Sequence, residues 1–128
     1  MTPVLDASAV LALFYREPGH ELVSEALAGS VMSSVSLSEV IQKLAQRGQP
    51  DAVAATDGIR SLGIRIEPFT SQDAARAGLL WQQTRHIGLS LGGRACLAVT
   101  ERTPDGEAVT ADQAWDKLDL GIAIRLIR

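Results

Sequence analysis

Apolar residues in this chain follow two rhythms. Short continuous or alternating runs stand at Pro3-Val4-Leu5, Val31-Met32, Ile64–Glu67, Ala108–Thr110 and Ile122–Ile127, and read as strands. Elsewhere apolar positions recur every three or four residues, which predicts helices over Ala7–Tyr15, Glu21–Leu27, Ser36–Gly48, Pro50–Leu62, Ser71–Arg85 and Arg94–Glu101. Breaks fall at Pro18-Gly19, Ala28-Gly29-Ser30, Gly63 and Pro104-Asp105-Gly106, and Ile87–Gly93 reads as a loop. Ser36-x-x-Glu39 has the spacing of a capping box at the start of the third helix. Strands alternating with helices specify a parallel sheet with helices on both faces. With no repeat, linker or low-complexity tract, residues 1–128 read as one domain.

Composition narrows the picture in three ways. Hydrophobic residues make up 46% of the chain and aromatics only 4%, so the core must be Leu, Val, Ile and Ala. A net charge of −3 excludes a basic nucleic-acid footprint over the whole surface, while 12 Lys and Arg leave room for a local one. The single Cys96 excludes an internal disulfide framework and points to a reducing, cytoplasmic setting. No secretory leader is expected, because Asp6 interrupts the first apolar run and no basic residue precedes it. No run approaches the ~20 apolar residues of a membrane span.

The candidate chemistry is acidic. A strand apolar on both faces belongs in the middle of a parallel sheet, and its carboxyl end opens on the ligand crevice of such folds. Asp6 stands at that end of the first strand, Asp112 follows the Ala108–Thr110 strand, and Glu39 lies early in the helix after the second strand. Carboxylates converging from three segments repel one another, and Mg²⁺ or Mn²⁺, which prefer oxygen ligands, resolve that repulsion. Each residue also has a plainer reading: Asp6 as a helix N-cap, Glu39 as the capping-box acid and Asp112 as a turn residue.

Four stretches, Val4–Phe14, Ser36–Val40, Gly88–Ala98 and Thr110–Trp115, closely resemble the PIN domain, and within it the VapC-type toxins of bacterial toxin–antitoxin modules. The resemblance covers nearly the whole chain in order. It implies a three-layer α/β/α sandwich with a central parallel sheet. It implies a Mg²⁺- or Mn²⁺-dependent endoribonuclease, a homodimer, held inactive by a cognate antitoxin protein. Asp6, Glu39 and Asp112 match three of the family's acidic site residues, and Ser8 and Thr110 match small hydroxyl positions that hydrogen-bond a carboxylate or a metal-bound water. Gly93 departs from the pattern, because the family carries an acid there. Losing it removes a metal ligand or a water-orienting base, and an N-cap from the helix expected to start near Arg94. This copy is therefore expected to be impaired, unless a neighbouring carboxylate takes over.

Other residues were weighed against that site. Arg94 is expected at the crevice mouth, contacting phosphate or pairing with an acid, and Arg76, Arg85 and Arg94 together form a candidate RNA-facing rim. Cys96 reads as core, His20 and His86 as solvated loop residues, Trp81 as packing or a dimer contact, and Trp115 as support under the site loop. Two rivals remain. One is a phosphotransfer enzyme with Asp6 as covalent nucleophile, which would want an Asp where Ser8 stands. The other is a non-catalytic PIN-fold module that binds RNA or a protein.

Overall fold

Five short strands are laid side by side in the order β3-β2-β1-β4-β5, all parallel: β1 (Thr2–Leu5), β2 (Val31–Ser33), β3 (Arg65–Glu67), β4 (Gly106–Thr110) and β5 (Ile124–Leu126). The structure is a computed structural model and describes residues 1–128. The chain leaves β1 toward β2 and returns much later to β4 on the other side, so β1 and β4 flank the point where strand order reverses. Open α/β sheets bind ligands at that point, beyond the strands' carboxyl ends. Register brings the two ends level, with Leu5 opposite Val109, and the Asp6 amide donates to the Val109 carbonyl at 3.1 Å.

Successive strand residues face opposite sides, and both sides are buried. Leu5, Met32 and Val109 pack with Val10, Val23, Val40 and Leu44 from α1 (Ala7–Tyr15), α2 (His20–Ala26) and α3 (Ser34–Gln46), over which α4 (Ala52–Arg60) closes. Val4, Val31 and Ala108 face the other way, onto Leu80, Cys96, Leu97, Val99 and Trp115. These last residues belong to the layer made by α5 (Ser71–Leu79), α6 (Trp81–Thr84) and α7 (Leu91–Arg102), and to the short 3₁₀ turn Gln113–Lys117. The expected three-layer α/β/α arrangement is thus the observed one, with Cys96 fully buried in its core.

Element ends moved where polar residues upstream capture the cap. α3 starts at Ser34, with the Ser33 hydroxyl accepting from the Val35 amide at 3.1 Å. Glu39 therefore lies in the second turn, and the capping-box reading of Ser36 and Glu39 falls. α4 is capped by Asp51 rather than opened by Pro50. α5 takes Thr70 as its cap and Asp73 as the reciprocal acid of a complete capping box. The segment expected to be helical through Arg85 breaks after Leu79 into α6 and a 3₁₀ turn at Arg85–Ile87. The final strand is shorter than Ile122–Ile127. The change with functional weight is at α7, which begins at Leu91 rather than Arg94. Ser90 caps it by accepting from the Gly93 amide at 3.2 Å. Gly93 is therefore the third helical residue, and the cap itself is intact.

Asp73 does a second job. It is 2% exposed, and Arg102 at the end of α7 grips it bidentately, Nε to Oδ1 at 2.8 Å and Nη2 to Oδ2 at 3.0 Å. The guanidinium is the main reason its carboxyl lies below the usual range. Removing Arg102 strands a buried carboxylate and unties α7 from α5. Arg102→Met should cost about 2 kcal/mol in urea unfolding, below the loss for a fully buried pair because Arg102 itself is partly exposed. A loss under about 0.5 kcal/mol would mean the pair behaves as an ordinary surface bridge.

Candidate active site

At the switch point a cleft of about 250 Å³ opens between the ends of β1 and β4, the α3 face and the loop before α7. Asp6, Ser8, Glu39, Gly93 and Asp112 all line it. Asp6 is its buried floor, 6% exposed. It is both the N-cap of α1, accepting from the Ala9 amide at 2.9 Å, and the centre of a hydroxyl shell. Ser8 donates to Oδ1 at 2.7 Å and Thr110 donates to Oδ2 at 2.6 Å. Each hydroxyl is held in turn by the backbone after β4, Ser8 by the Ala111 amide and Thr110 by the Asp112 amide. Every hydroxyl proton in this shell is therefore directed at Asp6. Asp6 is thus the N-cap of α1, as its plainer reading expected, and it also faces the cleft; Oδ1 takes both the Ala9 amide and the Ser8 hydroxyl.

Burial nonetheless dominates, and pushes the Asp6 carboxyl up to about 6 against the opposing hydrogen bonds, with Glu39 adding to the rise. Desolvation also raises Glu39, and Lys43, one turn further along α3, works against it. A buried and a half-buried carboxylate that repel each other are an electrostatic deficit that a cation would remove. Asp112 differs. It is exposed at the rim, capping the 3₁₀ turn through Oδ1 to the Ala114 amide at 3.0 Å. The three acids share a cleft but, as placed, no three acidic, His or Cys side chains close into one ligand group. The three are a buried acid, a half-buried neighbour and a rim acid around one cleft.

The glycines in the first turn of α7 shape the rest of the cleft. A Cβ on Gly92 would overlap the Glu39 carboxylate, and one on Gly93 would stand 2.7 Å from Leu89 and 3.3 Å from Trp115. Where the family's acid would project, this chain has the Leu89 side chain, backed by a Trp115 that is 2% exposed. Trp115 thus supports the site loop as expected. In the sequence nothing marks Gly92 or Leu89 beyond the Gly-Gly pair itself, which has the pattern of a loop.

The expected arginine rim does not form. Arg94 turns away from the cleft and donates through Nη1 to the Ala77 carbonyl at 2.8 Å, meeting neither an acid nor the cleft. Arg76 is held by Glu101, and Arg85 lies over the half-exposed Trp81 ring, 5.1 Å from its centre. His20 pairs with Glu21, and His86 is exposed.

A 3-2-1-4-5 parallel sheet with an acidic cleft at its switch point defines the class: an α/β domain whose site is built from carboxylates at strand ends. The sequence profile of the PIN domain family matches residues 4–120, and the chain belongs to that family. No curated protein sequence matches it closely enough to count as a relative. Among solved structures it is similar to the sarcin–ricin loop cleaving toxin VapC20 of Mycobacterium tuberculosis (TM-score 0.74, 19% identity, covering 92% of this chain and 97% of that one). It is also similar to a chain of a Klebsiella pneumoniae toxin–antitoxin complex (0.73, 18%, 99% and 98%) and to a chain of DNA-bound VapBC from Salmonella typhimurium (0.66, 16%, 100% and 99%). At these identities the likeness is one of fold.

Proposed function

We propose that this chain is the toxin of a type II toxin–antitoxin module, an endoribonuclease that uses Mg²⁺ or Mn²⁺, works as a homodimer in the cytoplasm and is silenced by a cognate antitoxin. The observation that carries this is the placement of Asp6, Glu39 and Asp112 around one cleft of a PIN domain. Support for the RNA substrate and the antitoxin comes from the neighbours, one a sarcin–ricin loop cleaving toxin and another a chain of a toxin–antitoxin complex. No helix of the chain is long and apolar enough to cross a membrane.

The residues fit a hard divalent cation. Such ions bind through one or two carboxylates and complete their shell with water and substrate phosphate. Asp6 and Glu39 would supply those two, and Glu39 in particular is seated in a cradle that a Cβ would fill and takes no hydrogen bond from the chain. When bound, the ion supplies activation of water and stabilisation of charge on the phosphodiester. The chain's own residues do the positioning. Ser8 and Thr110 fix both Asp6 oxygens, Glu39 closes the cleft from α3, and Asp112 keeps Oδ2 free at the rim to orient a water.

Gly93 withholds one acid from this set, and we propose that it impairs cleavage. The test is Mn²⁺ titration by calorimetry with a total-RNA cleavage assay, on this chain and on Gly93→Asp. Gly93→Asp should cut RNA in Mn²⁺ and stop when the ion is chelated. If neither protein binds Mn²⁺ or cuts, the PIN fold here is a binding module. Leu89 filling the place of an acid is the observation that favours this second reading.

A further inference from the structure

We infer that Gly92 is a positioning residue: its missing side chain is the space in which the Glu39 carboxylate is held over the cleft. The inference rests on the metal-site reading above and assigns a role to a residue outside its acidic set.

Glycine is not needed at position 92 for its backbone. Gly92 lies in the first turn of α7, and its φ is not in the positive range that favours glycine. Glycine in a helix is less favourable than alanine, so helix propensity argues against it. What remains is space. A Cβ there would overlap Glu39 Oε1 and crowd Cδ. Gly92 is itself buried, so α7 presents bare backbone to the acid, packed close against it. Glu39 reaches this seat from the second turn of α3, and no hydrogen bond from the chain holds it there. Steric fit is thus what places it, and α3 and α7 set the fit between them.

Adding a methyl at 92 therefore has a specific consequence. Glu39 has three rotatable bonds and a solvent-facing side, so it swings out of the cleft rather than pushing α7 away. The helix keeps its place, gains propensity and loses one acid from the site.

Two measurements test this on the full-length protein. In a metal-free crystal structure of Gly92→Ala, the Glu39 carboxylate should have left the cleft while the α7 backbone superposes on the parent. Glu39 remaining in place with α7 displaced would overturn the proposal. In Mn²⁺ calorimetry, Gly92→Ala should weaken binding roughly tenfold or more, as far as Glu39→Gln does, and the double variant should lose no more than either single one. Losses that add would also overturn it, because Gly92 would then act independently of Glu39. Should the parent bind no Mn²⁺, the metal-site reading fails, and the crystal structure still decides the role of Gly92.

Discussion

Asp6→Asn should make the metal-free protein more stable at pH 7.5 while abolishing its response to Mn²⁺. A carboxyl raised from 3.8 to about 6 corresponds to about 3 kcal/mol of unfavourable ionisation in the folded state. The sign follows from proton linkage. Between pH 4 and 6 the folded chain holds a proton that the unfolded chain has released, so stability falls as pH rises through that window and stays low above it. Asparagine removes the charge and keeps the shell. Its carbonyl oxygen accepts from Ser8 and the Ala9 amide, its amide donates to Thr110, and the Thr110 proton turns to Ser8 Oγ, 3.2 Å away. The expected gain, discounted for imperfect refitting, is about 1–2 kcal/mol, a few degrees in melting temperature. At pH 4.5 the gain should shrink to about a third, because the folded parent is then protonated at this position while the unfolded chain is still mostly ionised, and it should vanish only below the unfolded value of 3.8. Thermal melts in chelator at both pH values, repeated with Mn²⁺ at the higher one, check all of this. Lower stability of Asp6→Asn at pH 7.5 would show that burial does not strain Asp6.

Gly93→Asp is expected to have the largest effect on activity. Position 93 is three residues past the Ser90 cap, so the change completes a Ser-x-x-Asp box of the kind Thr70 and Asp73 already form on α5. An acid in the first turn also suits the helix dipole, and leaving glycine behind adds propensity. Against this stand a 2.7 Å contact with Leu89 and the charge of Asp6 and Glu39. The clash is with a flexible side chain and is cheap to relieve, so metal-free stability should change by less than about 1 kcal/mol. With Mn²⁺ the added charge becomes an advantage. RNA cleavage should rise by about 10² or more, the scale of a positioned acid–base group. Gly93→Asp combined with Leu89→Ala should exceed the single change, because the cleft is then cleared for the new side chain. A pair no faster than Gly93→Asp alone would mean Leu89 does not obstruct.

The sheet and the acids were legible because they rest on strong local signals. Apolar runs mark the strands, and an acid at a run's end marks a crevice whatever the details. Which strands neighbour each other is not encoded in any local pattern; the observed β1–β4 pairing is what brings Asp6 and Asp112 to one cleft. Helix starts were less legible where several caps compete. Ser33, Ser34, Ser36 and Ser38 all offer a hydroxyl, and only packing selects Ser33. At α7 the glycine pair hid the true start. Moving that start by three residues is nearly a full turn, and the loop before the helix shrinks with it. This is why the misplaced cap was assigned to position 93. The direction of Arg94, toward the Ala77 carbonyl, depends on how α5 and α7 pack, which no local pattern encodes.

The hydroxyl shell joins Asp6 to Thr110 across 104 residues of chain. Such a contact has a high sequence separation, and closing its loop carries an entropic cost that local contacts do not. A nascent or truncated chain ending before β4 has the first acid but lacks the strand, the threonine and the backbone amides that aim it. The segment from Gly106 onward, under a fifth of the 128 residues, therefore acts as an arming segment: a fragment that ends before β4 carries no assembled cleft.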